Sequence, residues 1–179
     1  MRGYNVIYNK EVIKMIVVYM LLLIAVSMDL RSMRISNRLI LVGLLLSFIQ
    51  RVFCNGMGGF LTGIVLISLP VILLYLLFLV GALGAGDIKL FSLIGGFIQL
   101  KELMWCIIFA FLFGAIFSLM KMLYLGTFLR SMGHVSRYVR DIFQGERQVY
   151  QPESLEDGRI HFSIAILCGF ILTDIYFIS

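Results

Sequence analysis

The sequence predicts an all-α, polytopic membrane protein with six transmembrane helices, and three observations support this fold class. Hydrophobic residues make up 61% of the 179 residues, compared with about 45–50% in soluble domains. The mean hydropathy is +1.01. The apolar residues are also grouped into six segments that are separated by more polar stretches. Because a backbone in lipid must satisfy its hydrogen bonds internally, each segment is predicted to be a helix.

The six segments lie, in chain order, at about residues 12–28, 39–53, 58–80, 88–100, 103–125 and 160–178. A transmembrane helix needs about 20 residues, with a range of about 17–25. The first segment lacks a small-residue cleavage site, so we interpret it as a true span rather than a secretory signal. The second and fourth segments are short. We expect them to cross with the help of Arg51, Lys89 and Lys101, whose long side chains can reach the interface.

The distribution of basic residues predicts the orientation of these helices. Of the 15 Lys and Arg residues, ten follow the first, third or fifth segment: Arg31, Arg34, Arg38, Lys89, Lys121, Arg130, Arg137, Arg140, Arg147 and Arg159. Lys and Arg collect on the cytoplasmic side of membrane proteins. We therefore expect these loops inside, both termini outside, and a location in the cytoplasmic (inner) membrane. The net charge of +5 then indicates orientation and contact with anionic lipid rather than nucleic-acid binding.

A long polar stretch, residues 126–159, predicts a cytoplasmic loop with a surface helix. Apolar residues recur there at helical spacing with arginines between them: Leu129, Met132, Val135, Val139, Ile142 and Phe143. That pattern is typical of a helix lying on the membrane surface. The chain has the length of one domain, so we predict a single membrane-embedded domain over residues 1–179. Its three cysteines form no C-x-x-C pair, so we expect no metal site and no cofactor.

Two acidic residues lie where a predicted helix ends or begins. Asp29 closes the first segment and Asp87 opens the fourth. The chain crosses the membrane twice between them, so both are predicted to lie at similar depth near the cytoplasmic edge. The remaining acids are expected in the polar loop or beside spans at the outer face, and Asp174 is expected to have an interfacial or packing role.

A pair of carboxyl groups that meet can hydrolyse a peptide bond without a metal or a covalent intermediate. Like charges a few ångströms apart cannot both ionise, so one group keeps a proton. The ionised group can activate a water molecule while the protonated group donates to the scissile carbonyl. The sequence presents no serine or cysteine nucleophile with a suitable histidine, and His134 and His161 are each predicted to be surface or interfacial residues.

The glycines before Asp87 allow two interpretations. Gly84 and Gly86 can adopt positive φ and let an extended peptide approach the backbone. Alternatively, they form a flexible connection between two spans, with Asp87 as a helix N-cap. Lys89 is expected to set orientation, or to help hold the nearby acid in place.

The surroundings of Asp29 are equally open to a structural interpretation. Asp29 can pair with Arg31 or Arg34 in a positively charged turn on the inner side. Ser36 or Asn37 would then cap the second helix.

Taken together, the two settings resemble the type IV prepilin peptidase family, membrane aspartyl proteases of the Gly-x-Gly-Asp type that include the archaeal preflagellin peptidases. The resemblance rests on Asp29-Leu30-Arg31 with Ile35-Ser36-Asn37, and on the run from Gly84 to Leu90. The spacing between these motifs, which holds two spans, also matches. The resemblance covers most of the chain, from about the first span to the last.

The resemblance implies removal of a basic leader from prepilin-like precursors at the cytoplasmic face of the membrane. The implied substrate partner carries an apolar N-terminal helix. The resemblance assigns catalysis to Asp29 and Asp87, while the site-shaping or substrate-binding residues that we predict are Gly84, Gly86, Lys89 and Asn37. Larger members have an added cytoplasmic segment with paired cysteines and methylate the new terminus. This chain lacks that segment and so resembles the short, peptidase-only form.

The sequence departs from the family pattern at two places. Ser36 stands where many members have proline, and the last segment opens with Arg159-Ile160-His161-Phe162, where many relatives have a proline near the start. Neither departure changes an aspartate.

Two other functions fit the same residues. The protein can be a small proton-coupled transporter, since acids inside a membrane protein often mark ion pathways. The predicted depth of both acids near one face argues against this, because carriers bind near the midplane. It can also be a non-catalytic subunit of a pilus or secretion assembly. The sequence indicates neither which precursor is cleaved nor the oligomeric state.

Overall fold

The computed structural model describes the backbone of residues 2–124 and 161–178 and the side chains of residues 12–124 and 161–177. All regular secondary structure in these residues is helical, which confirms the all-α fold class. The helices are α1 (Arg2–Ser32), α2 (Asn37–Leu79), α3 (Ala85–Phe97), α4 (Leu100–Tyr124) and α5 (Phe162–Ile178).

The chain divides into two compact units. The first consists of Met1–Phe113 and His161–Ser179, and the second of Gly114–Ile160. The first unit contains both sequence motifs. The described part of the second unit is residues 114–124, the last turns of α4. The surface helix predicted at 126–159 lies outside the described residues.

Within the described residues, three helical ranges are long and apolar enough to cross a membrane, namely Val12–Ser32, Asn37–Leu79 and Leu100–Tyr124. α5 is equally apolar but has only 17 residues. Large apolar side chains lie on the outside of the molecule; Ile72 and Leu76, for example, are 75% and 71% exposed. Such a surface suits lipid rather than water. The protein is therefore a helical membrane protein, while the count of six spans stays a prediction.

α2 is two helical limbs, because the chain reverses at Gly56. Gly56 has φ 58° and ψ −138° inside an otherwise helical run, a backbone conformation that glycine adopts without steric cost. The rings of Phe48 and Phe60 meet edge to face with centroids 5.3 Å apart. In a straight helix their rise alone would separate them by about 18 Å. The second and third predicted segments are thus limbs of a hairpin, residues 37–55 and 57–79.

α3 packs between these two limbs, and small residues bring the backbones close together. A Cβ atom at Gly95 would collide with the Leu66 carbonyl oxygen of the second limb. A Cβ atom at Gly96 would collide with the Ser47 hydroxyl of the first limb. Close helix approach through glycine is common in membrane proteins, since lipid provides no hydrophobic force to associate helices. α3 can be short because protein surrounds it: Leu90 and Phe91 are fully buried.

The end of α3 is capped by Arg51. Its Nε donates to the Gly96 carbonyl, and its Nη2 donates to the carbonyls of Gly95, at 3.2 Å, and Ile98. These carbonyls belong to the last turn of the helix, where no later amide can reach them. Its donors therefore bind the end of a neighbouring helix, and its place at the membrane interface stays a prediction.

α5 runs antiparallel to α1. Near the start of α5, Ser163 contacts Asp29. Farther along, the Tyr19 hydroxyl donates to Asp174 Oδ2 at 2.6 Å, and the Tyr19 and Phe170 rings meet edge to face at 5.1 Å. Asp174 thus has the packing role that the sequence predicts. This pairing brings the end of α1 and the start of α5 to the same end of the bundle.

Candidate functional site

The two motifs of the sequence meet at one end of the helical bundle. Ile35, in the turn between α1 and α2, lies beside Gly86 in the first turn of α3; a Cβ atom on Gly86 would stand 3.6 Å from Ile35 Cδ1. One helical turn on, Lys89 Nζ donates to Asn37 Oδ1 at 2.9 Å. Lys89 therefore binds an amide of the other motif and not an aspartate, which corrects one of the roles expected for it.

The turn that carries the first motif is stabilised by local hydrogen bonds. Met33 adopts φ 51°, and its amide donates to the Asp29 carbonyl at 2.8 Å to end α1. Ser36 then accepts a hydrogen bond from the Arg38 amide at 3.3 Å and is the N-cap of α2. Of the two caps that the sequence offers, Ser36 is the correct one. Asn37 is left free to bind Lys89.

Gly84 and Asp87 form the start of α3. Gly84 is the N-cap, and Asp87, at the third helical position, accepts from the Gly84 amide through Oδ2 at 3.3 Å. This is half of a capping box. The prediction of Asp87 as the N-cap itself is therefore wrong by three positions, because its side chain reaches back to the cap.

The positive φ that the sequence allows at the site glycines does not occur. Gly84 has φ −78°, and Gly86 is helical. The positive φ of this loop is at Gly81, at 76°. Gly84 serves a different purpose: a Cβ there would stand 3.0 Å from Asp87 Oδ2, so its lack of a side chain leaves room for the carboxylate.

Asp87 lies outside the three described helices that are long enough to cross a membrane. Its surroundings favour the protonated form of its carboxyl group over the ionised form. Burial is the main cause that raises the pKa of Asp87 from 3.8 to about 6. The hydrogen bond from the Gly84 amide acts in the opposite direction, and the negative charge of Asp29 raises the pKa further. The two aspartates are thus near enough to interact electrostatically.

Asp29, in the last turn of α1, is held by the beginning of α5. Ser163 Oγ donates to Asp29 Oδ2 at 2.6 Å, and His161 Nδ1 lies 3.4 Å from the same oxygen. No ion pair joins Asp29 to Arg31 or Arg34 within the described residues, so that structural interpretation of Asp29 does not hold there.

Sequence reasoning missed both of these neighbours of Asp29. The sequence predicts His161 at a surface or interface and gives no local sign of a role for Ser163. The topology held the necessary signal: with both termini on one side, the sixth segment begins on the side where Asp29 ends the first. The first residues of that segment were therefore candidates for the same site.

The arrangement is suited to acid–base chemistry. A carboxyl group whose pKa lies near neutrality can donate a proton, and a neighbouring carboxylate can accept one. Over residues 12–124 and 161–177, the structure contains no group of three or more His, Cys, Asp or Glu side chains that could hold a metal ion.

A comparison with protein families finds one match, to the type IV leader peptidase family over residues 16–119. The matched range contains Asp29, Asn37 and Asp87 and ends before α5. No curated protein and no solved structure matches the chain. Because the match covers more than half of the 179 residues, the chain belongs to the type IV leader peptidase family.

Proposed function

We propose that the protein is an aspartic endopeptidase that removes the leader from type IV prepilin-like precursors, with Asp29 and Asp87 as its catalytic pair. Membership of the family makes it a leader peptidase-like protease. The observation that carries the aspartic assignment is the electrostatic interaction of the two carboxyl groups at the end of the bundle where both motifs meet.

The two aspartates have different roles in this proposal. Asp87, whose burial raises its pKa to about 6, carries the shared proton and donates it to the oxygen of the scissile carbonyl. Asp29 accepts a proton from a water molecule as the hydroxide adds to the carbonyl carbon. The tetrahedral intermediate then breaks at the C–N bond, the amine leaves with a proton from Asp29, and Asp87 recovers its proton. One water is consumed and both carboxyl groups return to their starting states.

The substrate is a precursor with a basic leader followed by an apolar helix, and cleavage takes place at the cytoplasmic face of the inner membrane. The exposed apolar surface of the bundle suits an apolar helix in lipid. The basic loops of the enzyme do not suit a basic leader, and anionic lipid is their counterpart. Selection therefore depends on the apolar helix and on the residue before the cut. Neutralising the leader should slow cleavage less than changing that residue; the reverse ranking would refute this selection rule.

Co-expression with a pilin-like precursor tests the proposal. Asp29→Asn and Asp87→Asn should each abolish leader removal while the protein is inserted at wild-type levels. Glu102→Gln is the matched control, since it makes the same carboxylate-to-amide change away from the two motifs. Glu102 Oε2 accepts from the Gln99 amide at 2.9 Å, and an amide oxygen can do the same. Intact processing in either aspartate variant would overturn the proposal that the two aspartates are the catalytic pair.

A further inference from the structure

Two side chains at the start of α5 lie beside Asp29 Oδ2 and leave Oδ1 uncontacted. Ser163 Oγ is 2.6 Å from Asp29 Oδ2, within the short range of about 2.5–2.7 Å typical of a hydroxyl that donates to a carboxylate. His161 Nδ1 is 3.4 Å from Oδ2, which is beyond hydrogen-bond range. Within the described residues, no side chain donates to Oδ1.

Ser163 lies in a closely packed part of the bundle. Ser163 is fully buried. The preceding ring, Phe162, contacts Phe91 of α3 at 6.5 Å and Phe111 of α4 at 5.5 Å between centroids. Ile166, one turn farther along α5, is also fully buried. The packing of three helices thus fixes the hydroxyl, and through it the carboxylate.

The first turn of α5 also has the right polarity for this task. The Ile164 amide donates to the His161 carbonyl at 3.2 Å as the helix begins. Helix N-termini carry partial positive charge, which stabilises a nearby carboxylate. Asp29 lies in the last turn of α1, the negative end of that helix. The positive N-terminal end of α5 is next to it and stabilises its carboxylate.

We propose that Ser163 is a positioning residue for the reaction. Ser163 fixes Asp29 Oδ2, so Oδ1 is the oxygen that takes the proton from the attacking water. This inference rests on the proposed function, since it assumes that Asp29 is catalytic. It goes beyond the family match, because residues 161 and 163 lie outside the matched range 16–119.

A positioning role and a packing role predict different kinetics. A residue that orients the carboxylate acts on the chemical step, so its loss lowers kcat and leaves KM nearly unchanged. A residue that only fills space between helices changes the amount of folded protein and leaves the kcat of that folded protein unaltered.

Kinetics with purified, lipid-reconstituted protein and a pilin-like precursor can separate these roles. Ser163→Ala should lower kcat about 10–100-fold, the loss expected for one hydrogen bond to a charged group. KM should stay within about 2-fold of wild type. Ser47→Ala is the burial-matched control. Ser47 is fully buried, and within the described part of the chain its hydroxyl donates to the Leu44 carbonyl of its own helix, so kcat should not change.

A second variant keeps the test decisive if Ser163→Ala fails to insert. Ser163→Cys preserves shape but is a weak donor, and it should lower kcat in the same direction. Wild-type kcat in the inserted Ala variant, or in the Cys variant when Ala does not insert, overturns the positioning role. Asp29→Asn separates the two proposals: if it is inactive while the Ser163 variants are fully active, only the positioning role fails. An active Asp29→Asn variant removes the proposed function itself.

Discussion

Lys89 Nζ and Asn37 Oδ1 form a 2.9 Å hydrogen bond between the starts of α3 and α2. Each residue belongs to a different motif, and each lies near a candidate catalytic aspartate. The bond therefore fixes the distance between two helix starts that are separated in sequence by both limbs of α2. It gives the Asn of the first motif and the Lys of the second a shared physical role.

Disrupting this bond should reduce activity with little loss of fold. Lys89→Ala is expected to slow leader removal about 3–10-fold, since a charge-assisted hydrogen bond is lost at an exposed site. Asn37→Asp keeps an acceptor oxygen and should retain most of the activity. A double-mutant cycle with Lys89→Ala and Asn37→Ala, read as initial cleavage rates, should show effects that are less than additive. Fully additive effects would show that the bond has no part in the site.

The raised pKa of Asp87 predicts how activity depends on pH. The proposed reaction needs Asp87 protonated, and its pKa is about 6. Cleavage should therefore slow as pH rises through about 6 and approach a tenfold loss per pH unit above it. A pH–rate profile of the reconstituted enzyme from pH 5 to pH 8 measures this. A flat profile over that range contradicts the role given to Asp87.

The same raised pKa also affects stability, with a defined sign. The folded state binds the Asp87 proton more tightly than the unfolded chain does. The proton's contribution to the free energy of unfolding is therefore complete below the unfolded pKa of 3.8 and is lost as pH rises through about 6. Asp87→Asn resembles the protonated form at every pH. Its denaturation midpoint should exceed that of the wild type by more at pH 8 than at pH 5, and an equal difference at both values would contradict this account.

Two glycines of α3 provide a matched test of close packing. Gly95→Ala places a methyl group against the Leu66 backbone carbonyl, which cannot move as a side chain can. We expect a loss of about 1–3 kcal/mol in the free energy of unfolding, the usual cost of overpacking. Gly86→Ala meets only Ile35, at an ordinary 3.6 Å, so it should fold normally. Unfolding in mixed detergent micelles measures both.

Gly86→Ala has a second use, because it separates folding from substrate approach. If an extended peptide lies against this turn, the added methyl group should raise KM in a protein that is as stable as the wild type. An unchanged KM would mean that the glycine serves helix contact with Ile35 alone.

Arg51 should be essential for the stability of α3. Arg51→Met leaves the terminal carbonyls of α3 without their donors, and we expect a loss of about 1.5–3 kcal/mol. Arg51→Lys should fall in between, since an ammonium cannot reproduce the guanidinium fork. Arg38→Met is the control from the same limb, where the side chain is exposed. Equal denaturation midpoints for the three variants would disprove the capping role.

Features that depend on residues close in sequence were predictable, and those that depend on distant ones were not. The apolar segments and the Ser36 cap follow from composition and local chemistry. Counting crossings predicted that the two aspartates lie at similar depth, and the structure shows that their motifs are in contact. The partner of Asp29 was not predictable, because Ser163 is brought there only when α5 packs against α1.

Two features that sequence reasoning missed have the same physical origin. The position of Arg51 near the end of a segment predicts an interfacial anchor, but a buried helix end nearby offers carbonyls that lack donors. Positive φ at Gly84 is one of two interpretations that the sequence allows, but the space this glycine provides is for the Asp87 carboxylate. In both cases the deciding partner is visible only in three dimensions.

The reversal at Gly56 has a consequence for how this protein can vary. The whole of α2 lies between the two aspartates, and every residue added to a helical limb rotates the later part of that limb by about 100° and shifts it by about 1.5 Å. One insertion in either limb would turn the start of α3 out of phase with the end of α1. The lengths of the two limbs therefore determine whether the two aspartates face each other. A change in the length of one limb must be matched by a compensating change before Asp87.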